Sequence, residues 1–161
     1  MTDKVMTQDE LMPILDRLRK EGKKVVFTNG CFDILHVGHV RYLKEAKGYG
    51  DILIVAVNSD SSVKSIKGDK RPIVSQSERA EVVAALEMVD YVTMFDEDTP
   101  YNVIKKLQPD VLIKGGDWTI DKIVGRDIVE ARGGRVIAIP FIEGASTTGI
   151  VERVLEKYRE D

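Results

Sequence analysis

Short apolar runs alternate with amphipathic, helix-like segments along most of the chain. The runs are nearly continuous in apolar character, which is typical of strands covered on both faces of a parallel sheet. They cover Val25–Phe27, Ile52–Val57, Tyr91–Phe95, Val111–Ile113 and Val136–Ile139. Because strands and helices alternate strictly, the pattern predicts an α/β fold with five parallel strands joined by right-handed crossovers.

Capping signals indicate where the helices begin. Thr7-Gln-Asp-Glu10 is a capping box, and it opens a first helix that ends near Gly22. Later helices are predicted to begin at residues 36–39, at Ser75, at Thr99-Pro100, near Asp121 and at Ser146. Residues 58–72 are predicted to form a polar loop. The expected architecture is a Rossmann-like, doubly wound sheet with helices on both faces.

The length of 161 residues, or 18.0 kDa, suits one domain with a proper core. We predict a single domain over residues 1–161, with an N-terminal helix at 1–22. The core is expected at 23–154, and the end of the C-terminal helix at 155–161.

Composition narrows the class of protein. A net charge of −3 and a pI near 5.5 argue against a general nucleic-acid or membrane-surface binder, whose surface would be basic. The single cysteine, Cys31, cannot form an internal disulfide, which suits a reducing compartment. The first ten residues have no apolar segment of the signal-peptide kind, and no apolar run approaches the roughly 18 residues that span a bilayer. We expect a cytoplasmic protein with no nucleic-acid or membrane partner.

The loop at residues 28–39 is the strongest candidate site. It follows the first strand and holds both histidines of the chain, His36 and His39, with Gly38 between them. A helix that begins here would present unpaired backbone N–H groups and the positive end of its dipole, which suits a phosphate. The imidazoles would share one helix face, and the glycine would let a ligand approach the backbone closely. The sequence therefore predicts a site for the phosphates of a nucleotide.

Two other interpretations of the histidine pair stay open. Both could be structural, or they could bind a metal together with Cys31 and Asp33, although zinc sites rarely mix such ligands around one helix turn. The phosphate interpretation is favoured because the loop, the glycine and the imidazoles all serve it. Neither a G-x-x-x-x-G-K-[ST] nor a G-x-G-x-x-G motif accompanies the first strand, so other phosphate-binding classes are disfavoured.

Two further segments lie where the carboxyl ends of strands should be. Lys114-Gly-Gly-Asp-Trp118 is either a tight turn or a loop that lets a ligand approach and stack. Residues 144–149 hold Ser146, Thr147 and Thr148, which provide either a simple helix cap or a second anion site suited to pyrophosphate.

Basic residues near this edge have two interpretations each. Lys67, Lys70 and Arg71 are either solvated or part of a mobile loop that closes over a triphosphate. Arg79, on a predicted helix, is either a salt-bridge residue or a substrate ligand.

Taken together, these motifs resemble the nucleotidyltransferase superfamily with the H-x-G-H signature, from about Lys23 to Val154. Within it, the chain is most similar to the heptose 1-phosphate adenylyltransferases of ADP-heptose synthesis. The segments that carry this similarity are Thr28–Asp33, Ala56–Asp60, Lys67-Gly-Asp, Arg71-Pro, Lys114–Asp117 and Ser146–Thr148. The glycerol 3-phosphate cytidylyltransferases typically have an arginine where this chain has Phe141 and an aspartate where it has Gly116.

The resemblance implies a reaction and a set of roles. A heptose 1-phosphate would attack the α-phosphorus of ATP in line and release pyrophosphate, with Mg²⁺ as counter-charge, in the supply of lipopolysaccharide core precursors. The implied catalytic residues are His36, His39 and Lys67. The implied nucleotide-binding residues are Asn29, Gly30, Cys31, Phe32, Gly38, Arg79, Lys114, Gly115, Gly116, Asp117, Ser146, Thr147 and Thr148. The implied acceptor-binding residues are Asp33, Asp60 and Arg71, the metal ligands stay unknown, and a homodimer is expected.

Two other functions stay open at this point. One is a cytidylyl- or guanylyltransferase acting on another phosphorylated polyol or sugar, such as glycerol 3-phosphate. The other is a nucleotide-binding module without catalysis. The base is read largely by backbone and pocket shape, which the sequence does not show.

Overall fold

A parallel sheet of five strands, in the order β3-β2-β1-β4-β5, is the centre of the computed structural model, which describes residues 3–159. All pairings between neighbouring strands are parallel, so the predicted sheet is confirmed. The strands are β1 (Val25–Gly30), β2 (Ile52–Asn58), β3 (Tyr91–Phe95), β4 (Val111–Gly115) and β5 (Arg135–Ile139). Residues 1, 2, 160 and 161 of the predicted domain lie outside the described residues.

Seven α-helices accompany these strands in the described part of the chain, and two of them lie between β2 and β3. They are α1 (Gln8–Lys20), α2 (Val37–Lys47), α3 (Asp60–Lys67), α4 (Gln76–Ala84), α5 (Tyr101–Leu107), α6 (Arg126–Ala131) and α7 (Thr147–Tyr158). A short 3₁₀ helix covers Ile120–Lys122. Between residues 3 and 159, no helix is both long and apolar enough to cross a membrane.

The predicted caps of the first and last helices are confirmed. The Thr7 side chain accepts the backbone N–H of Glu10 at 3.1 Å, and the Glu10 carboxylate accepts the backbone N–H of Thr7 at 3.0 Å. Ser146 Oγ accepts the backbone N–H of Gly149 at 2.9 Å. These bonds satisfy N–H groups that a helix start leaves without partners inside the helix.

Three local predictions were wrong. The predicted loop at 58–72 contains α3, a polar helix that buries only Ser62 and Val63 and so lacks an apolar stripe in the sequence. The helix predicted from Asp121 is divided, because Gly125 has a φ of +91° and a side chain there would collide with Ile104.

The third error concerns two helix starts. Pro100 itself occupies the N-cap position of α5, where a cap followed by a first-turn proline was predicted. Ser75 makes no capping bond to α4, because its hydroxyl donates to the Glu78 carboxylate instead.

Two apolar layers, one on each face of the sheet, confirm the doubly wound arrangement. Helices α1, α5 and α6 cover one face, where Leu11, Leu15 and Leu107 are buried. Helices α2 and α4 cover the other face, where Leu43 and Val83 are buried. Burial of both faces explains why the strands have almost no polar positions.

The strand order reverses direction at β1. From β1 the chain continues outward to β2 and β3, and then returns to β4 and β5 on the other side. At such a switch point the loops beyond the carboxyl ends of the two central strands diverge and leave a crevice. The histidine loop, residues 29–39, emerges from β1 at this position.

Burial of α1 predicts an asymmetry between two leucines. Leu15 is fully buried, whereas Leu155 on α7 is 61% exposed. Leu15→Ala should lower the free energy of unfolding by about 2–5 kcal/mol, because it leaves a cavity in the core. Leu155→Ala should change it by less than about 0.5 kcal/mol. Urea unfolding of both variants tests this, and equal losses would contradict the packing described.

Candidate active site

A cavity of about 620 Å³ opens at the carboxyl ends of β1 and β4. Its walls include the histidine loop, the end of β4, the segment before α7 and the last two residues of α3. The predicted site residues that line it are Asn29, Gly30, Cys31, Phe32, Asp33, His36, Gly38, His39, Lys67, Lys114, Gly115, Ser146, Thr147 and Thr148. The fold therefore brings most of the predicted residues to one place.

The two histidines are held by reciprocal bonds at the start of α2. His36 is the N-cap, and its Nδ1 accepts the backbone N–H of Gly38 at 3.1 Å. His39 Nδ1 accepts the backbone N–H of His36 at 3.3 Å. A nitrogen that accepts a hydrogen bond carries no proton, so each neutral ring has its proton on Nε2. Both rings line the cavity, and each therefore offers an N–H donor.

Burial and the short distance between the two rings disfavour protonation of the histidine pair. The ring centroids lie 3.8 Å apart with an interplanar angle of 27°. Burial lowers the pKa of His36, and burial together with the charges of His36 and Lys67 lowers the pKa of His39 to about 4. The rings are thus neutral donors near pH 7, and lysines supply the positive charge of the site.

Two lysines bring that charge. Lys67 is the last residue of α3 and lines the cavity, so it lies on a helix and not in the predicted mobile loop. Lys114 Nζ lies 5.2 Å from the centroid of the Trp118 ring, which places the ammonium over the indole face. Burial lowers the pKa of Lys114, and burial raises the pKa of the neighbouring Cys31 thiol.

Gly38 allows two parts of the cavity wall to approach one another. A Cβ built there would lie 2.8 Å from His36 Cε1 and 3.0 Å from Ala145 Cβ. A side chain would therefore collide with the N-cap imidazole and with the segment that precedes α7. The glycine serves close packing between these walls as well as access for a ligand.

The three hydroxyls at the start of α7 make bonds within the protein. Ser146 caps the helix, and Thr147 Oγ1 donates to the Ile34 carbonyl at 3.2 Å. Thr148 Oγ1 accepts from Arg71 Nη2 at 3.3 Å. Thr147 thereby joins α7 to the histidine loop, so the two candidate phosphate-binding helix starts face one cavity in a fixed arrangement.

Five predicted ligand residues do not line the cavity: Gly116, Asp117, Arg79, Asp60 and Arg71. Arg79 is 1% exposed, and its guanidinium donates to backbone carbonyls and to Asp60, which favours the salt-bridge interpretation over a contact with nucleotide. The Asp60 carboxylate accepts from Arg79 Nη2 at 2.9 Å, outside the cavity lining. Gly116 is buried beneath the Phe141 and Trp118 rings, and Asp117 points outward beside it.

Asp33 lines the cavity, but its carboxylate has protein partners. It accepts the backbone N–H groups of Ile73 and Val74, both at 2.9 Å. Arg71 Nη1 lies 3.6 Å from the same carboxylate, and this pairing holds the arginine between Asp33 and Thr148. In this conformation Asp33 and Arg71 bind parts of the chain to each other, which differs from the predicted acceptor contact.

Sequence reasoning missed several residues that line the cavity. Tyr42 and Glu45 lie four and seven positions after Gly38, and helical spacing from the glycine could have identified them. Asn58 is the last residue of β2, and Thr99 lies in the segment between β3 and α5. Phe141, 74% exposed, lies against Gly115 and Gly116 and extends the aromatic wall formed with Trp118.

Metal-ligating side chains are not clustered in the described part of the chain. From residue 3 to residue 159, no group of three or more His, Cys, Asp or Glu side chains is placed to hold a metal ion. The Nδ1 atoms of both histidines are already acceptors of backbone N–H groups, which further disfavours the zinc interpretation of His36 and His39.

Comparison with known proteins gives consistent matches. Residues 27–153 match the family model described as cytidylyltransferase-like. The bifunctional protein HldE of Geobacter sulfurreducens is 53% identical over 158 residues, which are 98% of this chain and 32% of that protein. HldE of Citrifermentans bemidjiense is 56% identical over 155 residues, with 96% and 32% covered. The chain thus spans about a third of the length of these curated relatives.

Two solved structures are similar. The lipopolysaccharide core biosynthesis protein of Thermoplasma volcanium has a TM-score of 0.62 and 30% identity, covering 75% of this chain and 98% of that one. A pantoate-beta-alanine ligase of Francisella tularensis, complexed with beta-gamma ATP and beta-alanine, has a TM-score of 0.60. At 16% identity, over 98% of this chain and 79% of the ligase, the second likeness concerns the fold alone.

The depressed pKa of His39 predicts a measurable titration. The native ring should stay neutral down to about pH 4, whereas an unfolded histidine protonates near pH 6.5. Between these values the unfolded state binds more protons, so this contribution to stability is lost as the pH falls. NMR titration of the His39 ring should give a midpoint well below 6, and a midpoint near 6.5 would contradict the described burial. His39→Gln should lose less stability over the same range.

Proposed function

The chain belongs to the cytidylyltransferase-like family, and we propose that it transfers AMP from ATP to a heptose 1-phosphate. An oxygen of the sugar phosphate attacks the α-phosphorus of ATP and forms the new P–O bond. The bond from the α-phosphorus to the bridging oxygen breaks, and pyrophosphate leaves with that electron pair. The products are ADP-heptose and pyrophosphate.

One observation carries the proposal: two neutral imidazoles with fixed Nε2–H donors lie in the same cavity as a second helix start. Thr147 fixes the distance between these two elements through its bond to Ile34. Donors that are already oriented can stabilise charge that develops on the α- and β-phosphates without any rearrangement during reaction. The start of α7 suits the departing pyrophosphate.

The chemistry requires positioning more than proton transfer. A sugar phosphate is already ionised near pH 7, so no strong base is needed to activate it. Cys31 has a pKa that burial raises, and the thiol is therefore not prepared to act as a nucleophile. Lys67 and Lys114 supply positive charge to a triphosphate, and catalysis arises from orientation and charge neutralisation.

The choice of ATP and of a heptose rests on the sequence resemblance. The HldE relatives are described as bifunctional, and this chain matches about a third of their length. The Thermoplasma neighbour is described as a lipopolysaccharide core biosynthesis protein, which agrees with a role in sugar activation. Phe141 stands beside the cavity where glycerol 3-phosphate cytidylyltransferases typically have an arginine.

Magnesium is part of the proposal. The described residues offer no cluster of carboxylates for a dedicated site. We propose that Mg²⁺ would enter with the nucleotide and would supply counter-charge to the triphosphate. We also propose a homodimer on the strength of the family resemblance, and a cytoplasmic location on the strength of the sequence composition.

A substrate panel tests the function. Pyrophosphate release should be fastest with ATP and a heptose 1-phosphate, compared with CTP or GTP and with glycerol 3-phosphate as acceptor. Release with CTP and glycerol 3-phosphate, but not with ATP and the heptose, would instead favour the cytidylyl alternative. Binding of nucleotides without turnover of any pair would favour a non-catalytic module.

His39→Ala tests the role of the histidine donors. Removal of one oriented donor should lower kcat by about 10²–10³-fold, while the protein stays folded. Lys44→Ala on the same helix is the control, since Lys44 is exposed and lies outside the cavity. Steady-state rates of pyrophosphate release measure both variants. Near wild-type turnover in His39→Ala would remove this residue from the mechanism.

A further inference from the structure

Arg79 is the largest fully buried side chain among residues 3–159, and its four hydrogen bonds join three segments of chain, at Cys31, at residues 58–60 and at Val74. Its Nη1 donates to the Cys31 carbonyl at 2.5 Å and to the Asn58 carbonyl at 2.8 Å. Its Nε donates to the Val74 carbonyl at 2.9 Å, and its Nη2 donates to Asp60 at 2.9 Å. A guanidinium has the fork of donors needed for this, and an ammonium does not.

Asp33 also joins the histidine loop to the segment that contains Val74. Its carboxylate accepts the N–H groups of Ile73 and Val74, while Arg79 donates to the Val74 carbonyl. Residues 31–33 of the histidine loop are therefore clamped to residues 73–74 at both ends. Phe32 lies between the two bonded residues, Cys31 and Asp33.

Phe32 has a backbone conformation that needs support. Its φ is +48°, in the left-handed region that residues with a bulky side chain rarely adopt. In this conformation its side chain folds back over Gly30, where a Cβ would lie only 2.9 Å from Phe32 Cε2. The same ring packs on His39, with a centroid distance of 5.0 Å and an interplanar angle of 56°.

We propose that Arg79 is a positioning residue for His39, acting through the Cys31 carbonyl and the Phe32 ring. The guanidinium holds the carbonyl, the clamped loop keeps Phe32 in its left-handed conformation, and the ring forms one wall of the His39 site. The opposite wall is the stacked ring of His36. The catalytic importance of this role rests on the proposed function, whereas the placement of His39 can be measured without any substrate.

Arg79→Lys tests this role because it keeps the positive charge and removes the planar set of guanidinium N–H donors. The ring resonances of His39 should move in the NMR spectrum of the nucleotide-free protein, because the aromatic ring beside them is displaced. A misplacement of about 1 Å should lower kcat by about 10²-fold, with a much smaller change in the KM for ATP.

Arg19→Lys is the matched control. Arg19 also uses its guanidinium to donate to two carbonyls, those of Leu107 and Gln108, but it lies away from the cavity. This variant should lower the melting temperature, leave the His39 resonances in place and keep kcat within about twofold of the wild type. A purely structural Arg79 would behave like Arg19, and unchanged His39 resonances in folded Arg79→Lys would overturn the proposal.

A milder variant covers the case in which Arg79→Lys does not fold. Asp60→Asn weakens one of the four guanidinium bonds at a carboxylate that is 44% exposed. This variant should move the His39 resonances in the same direction as Arg79→Lys but by a smaller amount, and it should lower kcat several-fold. Unchanged His39 resonances would contradict a positioning role for Arg79.

The two proposals fail in different ways. If no substrate pair is turned over by the wild type, the proposed function fails while the His39 resonances still report on Arg79. If the wild type turns over ATP and a heptose 1-phosphate, but Arg79→Lys keeps full kcat, the positioning role fails alone.

Discussion

The reversal of strand order at β1 is the constraint on which the rest of the site depends. Because β2 and β4 pair with β1 on opposite sides, the loops beyond the two central strands must diverge. The histidine loop emerges from β1, the Lys114 turn ends β4, and α7 returns across the gap. No single segment forms the site, and each wall depends on the register of a buried parallel sheet.

Inside that crevice, hydrogen bonds from the backbone determine the tautomer of both histidines. Two N–H groups at the start of α2 occupy both Nδ1 atoms, which leaves both Nε2–H groups as donors. Neutral rings can stack at 3.8 Å, whereas two imidazolium ions at that distance would repel. In the function that we propose, the site separates two tasks: the histidines orient phosphate oxygens, and Lys67 and Lys114 supply positive charge.

Local signals in the sequence predicted the strands, the caps at Thr7 and Ser146, and the histidine loop, since each depends on neighbours along the chain. The rest depended on distant partners. A buried arginine and a ligand-binding arginine look alike in sequence, so Arg79 was assigned to nucleotide although it binds carbonyls of Cys31, Asn58 and Val74. Helix α3 was missed because it buries only two residues, and one of them is a serine.

We propose that one cavity holds the phosphates of ATP between the starts of α2 and α7. Amide chemical-shift mapping with α,β-methylene ATP, in which the bond that would be cleaved is blocked, can detect this binding without turnover. We expect the largest shifts at Gly38, His39, Thr147 and Thr148, which belong to the two opposite walls. Shifts confined to one wall would contradict it, as would the largest shifts at Gly133 and Gly134, which line a smaller cavity elsewhere.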